Sequence, residues 1–136
     1  MRSIFKLIFI CVLVSAFGAT ISLAAIVNVP ADEATIQGAI NTANPGDTVL
    51  VAPDTYQELI NINKDITVAS LNLTTGDPDR IDDTIIDGNG SGTVVTMQNR
   101  SSDCLFTGFT VQNGDRGIRV SGGAPVLNHL VLKDHD

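Results

Sequence analysis

The chain has no tryptophan, one tyrosine and two cysteines among 136 residues. Each scarcity excludes something. Carbohydrate sites commonly present flat aromatic faces, yet past Ala24 only Tyr56, Phe106 and Phe109 are aromatic. Both phenylalanines read as core fillers and Tyr56 as a corner residue. Cys104 is the one cysteine outside the N-terminal apolar run, so no internal disulfide staples the rest of the chain. Basic residues are few, eight Lys and Arg against fifteen Asp and Glu, and they form no cluster. Nucleic acid is therefore not an expected partner, since binding it needs cations that displace phosphate counterions. Acidic polysaccharide would be repelled unless a cation bridged it. Metal-type Cys/His spacing, a Ser/His/Asp order and a phosphate-cradling glycine loop are all missing.

What is present begins with an address. Arg2 and Lys6 give a short basic start, and an apolar run from Leu7 to Ala25 follows. Ser22-Leu23-Ala24 places small residues at the two positions a signal peptidase reads, which predicts a signal peptide over 1–24, cleaved after Ala24. Cys11 would leave with it. The competing reading is an uncleaved anchor, because about 19 largely apolar residues nearly span a bilayer. The membrane would then be a partner through this segment alone. The expected location is secreted, at the cell surface or periplasmic. Removing 24 of 136 residues leaves 112, enough for one domain, and losing Arg2 and Lys6 takes the net charge from −7 to −9.

The domain over 25–136 opens with a helix. Asp32 is a candidate N-cap, and Ile36, Ala39, Ile40 and Ala43 recur at i, i+3, i+4 and i+7. Pro45-Gly46 stops the pattern, which predicts a helix over about 32–44. Short alternating strands follow. Val49/Val51, Ile60/Ile62, Ile66/Val68, Phe109/Val111 and Ile118/Val120 each flank one residue of the opposite face. Asn, Asp, Gly and Pro clusters join them, and no second helical pattern appears after Ala43. A βαβ fold is excluded on that ground. Leu105–Val111 shifted by 21 positions falls on Val126–Leu132 with four apolar matches. A period near 20 residues fits one coil of a solenoid, whose coils bury their faces only by stacking.

Ala34–Tyr56, followed by the ITVAS and TIIDGNGSG segments, resembles the N-terminus of right-handed parallel β-helix proteins of the pectin-lyase-like superfamily. The resemblance implies an all-β solenoid, with the TIQ-AI-A helix plugging one end and coils over about 47–136. The PGD-V-V turn and strand start the first coil, and a P-GTY motif turns the corner, with Asp54 here in place of its glycine. Gly108–Gly114 is similar to the family's GFTI-NG coil. Ala124–Leu132 is similar to its P-x-I-x-N-x-x-I repeat, with His129 where asparagine is usual. Three or four coils would stack beneath the plug and leave the last one open, so the segment reads as the N-terminal part of a longer β-helix.

Candidate chemistry is sparse. Asp77, Asp79, Asp82 and Asp83, with Asp87 nearby, crowd around Arg80. Hard oxygen ligands at this density are candidates for Ca²⁺, which lyases of the resembled fold use to bridge substrate carboxylates. The spacing matches no EF-hand loop, and a solvated connector is the competing reading. Asp87, beside glycines, is expected to hold turn amides rather than act as a base. Arg119, pointing outward between Ile118 and Val120, is placed as a β-elimination base would be, but no second basic residue sits on a neighbouring coil.

Three functions follow. The first is a non-catalytic exported scaffold that binds a polysaccharide or another surface protein. The second is the first coils of a polysaccharide lyase or glycosidase whose site lies further along. The third is an independent carbohydrate-binding module. The missing constellations favour the first, with no residue in 25–136 assigned a catalytic role.

Overall fold

The computed structural model describes residues 23–135. Most of the predicted signal peptide lies outside the described residues. Among the described residues, twelve strands and three helices follow in order. β1 (Ile26–Val29) precedes α1 (Ile36–Thr42), and then come β2 (Thr48–Val51), β3 (Asp54–Gln57), β4 (Ile60–Ile62) and β5 (Thr67–Ser70). A connector holds α2 (Asn72–Thr75) and α3 (Asp79–Asp83). The remaining strands are β6 (Thr84–Asp87), β7 (Thr93–Arg100), β8 (Leu105–Thr107), β9 (Thr110–Gln112), β10 (Arg116–Gly123), β11 (Val126–Asn128) and β12 (Val131–Lys133).

From β2 onward successive strands enter different sheets, and each sheet collects strands one coil apart. The orders are β1-β2-β5-β8-β11, β3-β6-β9-β12 and β4-β7-β10. Every pairing is parallel. The fold is an all-β parallel solenoid. Alternation within each strand turns every second side chain inward, and the register stacks those side chains in rows. Val49, Val68, Phe106 and Leu127 form one row, Tyr56, Ile86, Val111 and Leu132 another, and Ile62, Met97 and Val120 a third. Phe106 and Phe109 stack inside, with ring centroids 4.8 Å apart and planes 8° from parallel. The final coil lies one repeat from its neighbour. Val126 pairs with Leu105 and Val131 with Thr110, the 21-residue offset read from the sequence.

The helix forms where its apolar stripe finds a surface. Ile36, Ala39, Ile40 and Ala43 are buried against the solenoid core. Its bounds differ from the expected 32–44. The N-cap is Thr35, whose Oγ1 accepts from the Gly38 amide at 3.0 Å. Asp32 is instead consumed by the turn after β1, accepting from the Asn28 amide at 2.7 Å and the Asn28 side chain at 3.0 Å. Two charged residues of the following coil hold the helix ends. Glu58 accepts from the Ile36 and Gln37 amides at 2.8 and 3.0 Å. Lys64 Nζ donates to the carbonyls of Ile40, Asn41 and Ala43 at 2.9, 2.7 and 2.6 Å. A carboxylate at the N-terminus and an ammonium at the C-terminus both complement the helix dipole while satisfying groups the helix leaves free.

Helices after Ala43 were not expected, and α2 and α3 correct that. Each is about one turn long with no buried residue, so neither has an apolar stripe for a pattern to reveal. Together they cross the corner between two sheets, where Thr110 Oγ1 donates to the Ile81 carbonyl at 3.0 Å. Asp54, where the resembled motif has glycine, lies in β3 and not in the left-handed region, so a side chain is accommodated there.

Candidate polar corner groove

A polar concavity lies where the second sheet turns toward the third. It is a groove of about 590 Å³ lined by Gln57, Asp87, Asn89, Asn113, Asp134 and His135, with two glycines. The strand register places Gln57, Asp87, Gln112 and Lys133 in one outward row. At the turn that follows, Asn89, Asn113 and Asp134 all adopt left-handed backbone, with φ of 53°, 54° and 57°. Asparagine and aspartate tolerate that region because their short polar side chains bond locally.

Asp87 is the centre of the groove and is buried. Its Oδ1 accepts from the Asn89 amide at 2.8 Å. Its Oδ2 accepts from Gln112 Nε2 at 2.9 Å and from Asn113 Nδ2 at 2.8 Å. The Gln112 amide, followed by the Asn89 and Asn113 bonds, outweighs burial and holds this carboxyl below the usual carboxylate range. The expectation that Asp87 ties turn amides agrees with this geometry. Gln112 and Asn113 add donors from the next coil that went unnoticed in the sequence. The readable signal was their place directly after Val111, as Asp87 directly follows Ile86.

The other candidates are scattered. Asp79, Asp82 and Asp83 are exposed and Asp77 is half-buried. Asp77 accepts from the Asp79 amide at 3.0 Å and pairs with Arg80 at 3.3 Å, while Asp83 lies 3.7 Å from the same guanidinium. Among the described residues no three His, Cys, Asp or Glu side chains are arranged to hold a metal ion. Ca²⁺ takes six to eight converging oxygens, and here Asp77 and Asp83 are instead turned to Arg80. Arg116 and Arg119 are exposed on β10, beside Thr93 and Thr96 of β7, with no acid facing them across the ladder. His129 stands at a sheet corner with φ 49°, its carbonyl accepting from the Gly108 amide, and lines a smaller groove of about 240 Å³. Tyr56 donates to the Ala52 carbonyl at 2.8 Å, fastening the corner as expected. Burial pushes the Cys104 thiol up, which keeps it protonated and unreactive. Among the described residues no buried side-chain nitrogen or oxygen lacks a partner, and no helix is long and apolar enough to cross a membrane.

Fold and groove together define an all-β parallel solenoid with hydrogen-bonded polar corners. No protein-family model, curated protein or solved structure matches this chain.

Proposed function

We propose that this chain is an exported right-handed parallel β-helix of the pectin-lyase-like type, whose described coils serve as a non-catalytic scaffold or binding segment outside the cell or at its surface. The observation that carries the reading is the state of Asp87. A general base must keep a lone pair aimed at substrate and a pKa near the working pH. Asp87 spends its oxygens on three donors and is held in the opposite direction. The same bonds lock successive coils in register, which is the work of a scaffold. Export rests on the basic start and the apolar run up to Ala25. A polysaccharide or a second surface protein is the partner class that suits such a location.

The rival reading makes these coils part of a polysaccharide lyase or glycosidase that acts through other coils. The unbroken parallel register favours it, because further coils extend such sheets without rearrangement. One assay separates the two. The exported protein is incubated with pectate and alginate plus Ca²⁺, with unsaturated products of elimination followed by absorbance and new reducing ends of hydrolysis by a reducing-sugar assay. The scaffold reading expects no product. Product would overturn it: turnover that Arg119→Ala leaves unchanged supports the rival reading of a site in other coils, and turnover that falls with Arg119→Ala places catalysis in these coils.

A further inference from the structure

Asp47 is a buried acid between the Pro45-Gly46 turn and β2. Its Oδ2 accepts from the Asn44 amide at 2.8 Å, closing the turn that follows α1. Its Oδ1 accepts from the Ala25 nitrogen at 2.8 Å, 22 positions away in the chain. The Ala25 amide, then the Asn44 amide, outweigh burial and hold this carboxyl below the usual carboxylate range, and the Lys64 charge acts in the same direction. Ala25 is fixed at both of its backbone polar atoms, because its carbonyl accepts from the Thr48 amide at 2.9 Å. Leu23 and Ala24, by contrast, are exposed and belong to no element, and β1 begins only at Ile26. The anchored part of the fold thus starts at the same Ala24–Ala25 bond that the small residues of Ser22-Leu23-Ala24 mark for a signal peptidase.

We propose that Asp47 is the receptor for the N-terminal ammonium of the processed chain, pairing with Ala25 once the Ala24–Ala25 bond is cut. The inference rests on the export reading, which supplies the hydrolase. Hydrolysis adds the hydroxyl of water to the Ala24 carbonyl carbon and leaves the Ala25 nitrogen as an amine, which takes up a proton at neutral pH. A single peptide N–H then becomes an ammonium facing a carboxylate that is already ionised and aimed at it. Charge-assisted bonds of this kind are shorter and about twice as strong as neutral ones. The carboxylate has room for the added donors, since it offers about four acceptor sites and the Ala25 and Asn44 bonds use only two. Ala25 is exposed, so water solvates the rest of the ammonium and its charge is not stranded. Lys64 does not compete for the place, because its Nζ is directed at the carbonyls of Ile40, Asn41 and Ala43. Cleavage at a neighbouring bond loses the match. A start at Ala24 puts the charge one residue, about 3.3 Å, beyond the carboxylate, and a start at Ile26 removes the nitrogen altogether. Processing at the right bond therefore fastens the start of β1 to the next coil more tightly than the uncut chain can.

The test uses the protein recovered after export. Its intact mass reads where the chain begins, and an NMR titration of isotope-labelled protein reads the α-amine. A chain beginning at Ala25 is expected. Its α-amine should titrate above the ordinary range of about 7.7–8.0 in the native protein and within that range in urea. Asp47→Asn keeps an acceptor for the Asn44 amide but removes the charge, and should return the native value to the ordinary range. The sign for stability follows. With the folded-state pKa raised, the contribution is complete below the ordinary α-amine range and is lost as pH rises through the raised value. The urea midpoint of the wild type should therefore fall across that window relative to Asp47→Asn. Circular dichroism checks that the variant keeps its strands. Should it lose them, native against urea-unfolded wild type decides alone. A chain that starts elsewhere, or that keeps residues 1–24, overturns the cleavage site and the pairing together. A chain that starts at Ala25 with an ordinary α-amine pKa overturns the pairing alone and leaves export standing.

Discussion

At the scale of single residues, Asp87 shows how a buried charge in a solenoid joins coils rather than performing chemistry. One carboxylate receives a turn amide of its own coil and two side-chain amides of the next. Removing it leaves three donors in a part-buried corner. Asp87→Ala is expected to lower stability by about 1–3 kcal/mol, the usual cost of stranding buried hydrogen-bonding groups, measured by urea unfolding at neutral pH. The pH dependence has a definite sign. The folded-state pKa lies below the unfolded one, so the unfolded chain takes up protons first as pH falls. The contribution is therefore complete above the ordinary carboxylate range and is lost as pH falls through the depressed value. The stability gap between wild type and Asp87→Asn should accordingly narrow in acid. A gap that widened as pH fell would contradict the hydrogen-bonded, ionised carboxylate.

Among the elements, α1 draws its strength from the coil beneath it. An isolated helix of seven residues is far below the length that holds in water. Its buried stripe, the Thr35 cap, Glu58 at one end and Lys64 at the other offset that deficit. Glu58→Ala and Lys64→Ala are each expected to cost about 1–2 kcal/mol, and Thr35→Ala about 1 kcal/mol, by thermal unfolding. Glu58→Lys should be worse than Glu58→Ala, because it sets a positive charge against the positive end of the dipole. The stripe of α1 was legible as period, since Ile36, Ala39, Ile40 and Ala43 carry it locally. Its true cap was not, because Asp32 and Thr35 are equally good capping types and only the turn after β1 assigns Asp32 elsewhere. Glu58 and Lys64 were invisible for another reason. Their helix contacts span 21 to 24 positions, a separation that only the coil makes short. The α2–α3 connector left no signal because four- and five-residue turns have no face to pattern. Its carboxylates give a further prediction. With Asp77 and Asp83 turned to Arg80, added calcium should leave the unfolding transition in place, whereas a built site at a hundredfold excess over its Kd would add about 2.7 kcal/mol.

For the molecule as a whole, the repeat was legible only where nothing interrupts it. The last two coils keep an offset of 21 residues. Earlier pairings in the same sheet are offset by 19 residues between β2 and β5 and by 38 between β5 and β8. The α2–α3 connector and the eight-residue β7 lengthen that coil, so comparison at one fixed period cannot register it. Strand alternation survives because the inward rows demand it coil by coil. The same architecture sets how stability is distributed. In a solenoid each coil is held by its neighbours, so coils with two neighbours open less readily than a coil with one. Amide hydrogen exchange should be slowest in β5, β7 and β8, which have strands on both sides. It should be at least about tenfold faster in β11 and β12 at dilute concentration. Equal protection of all strands would mean that the molecule opens as one unit.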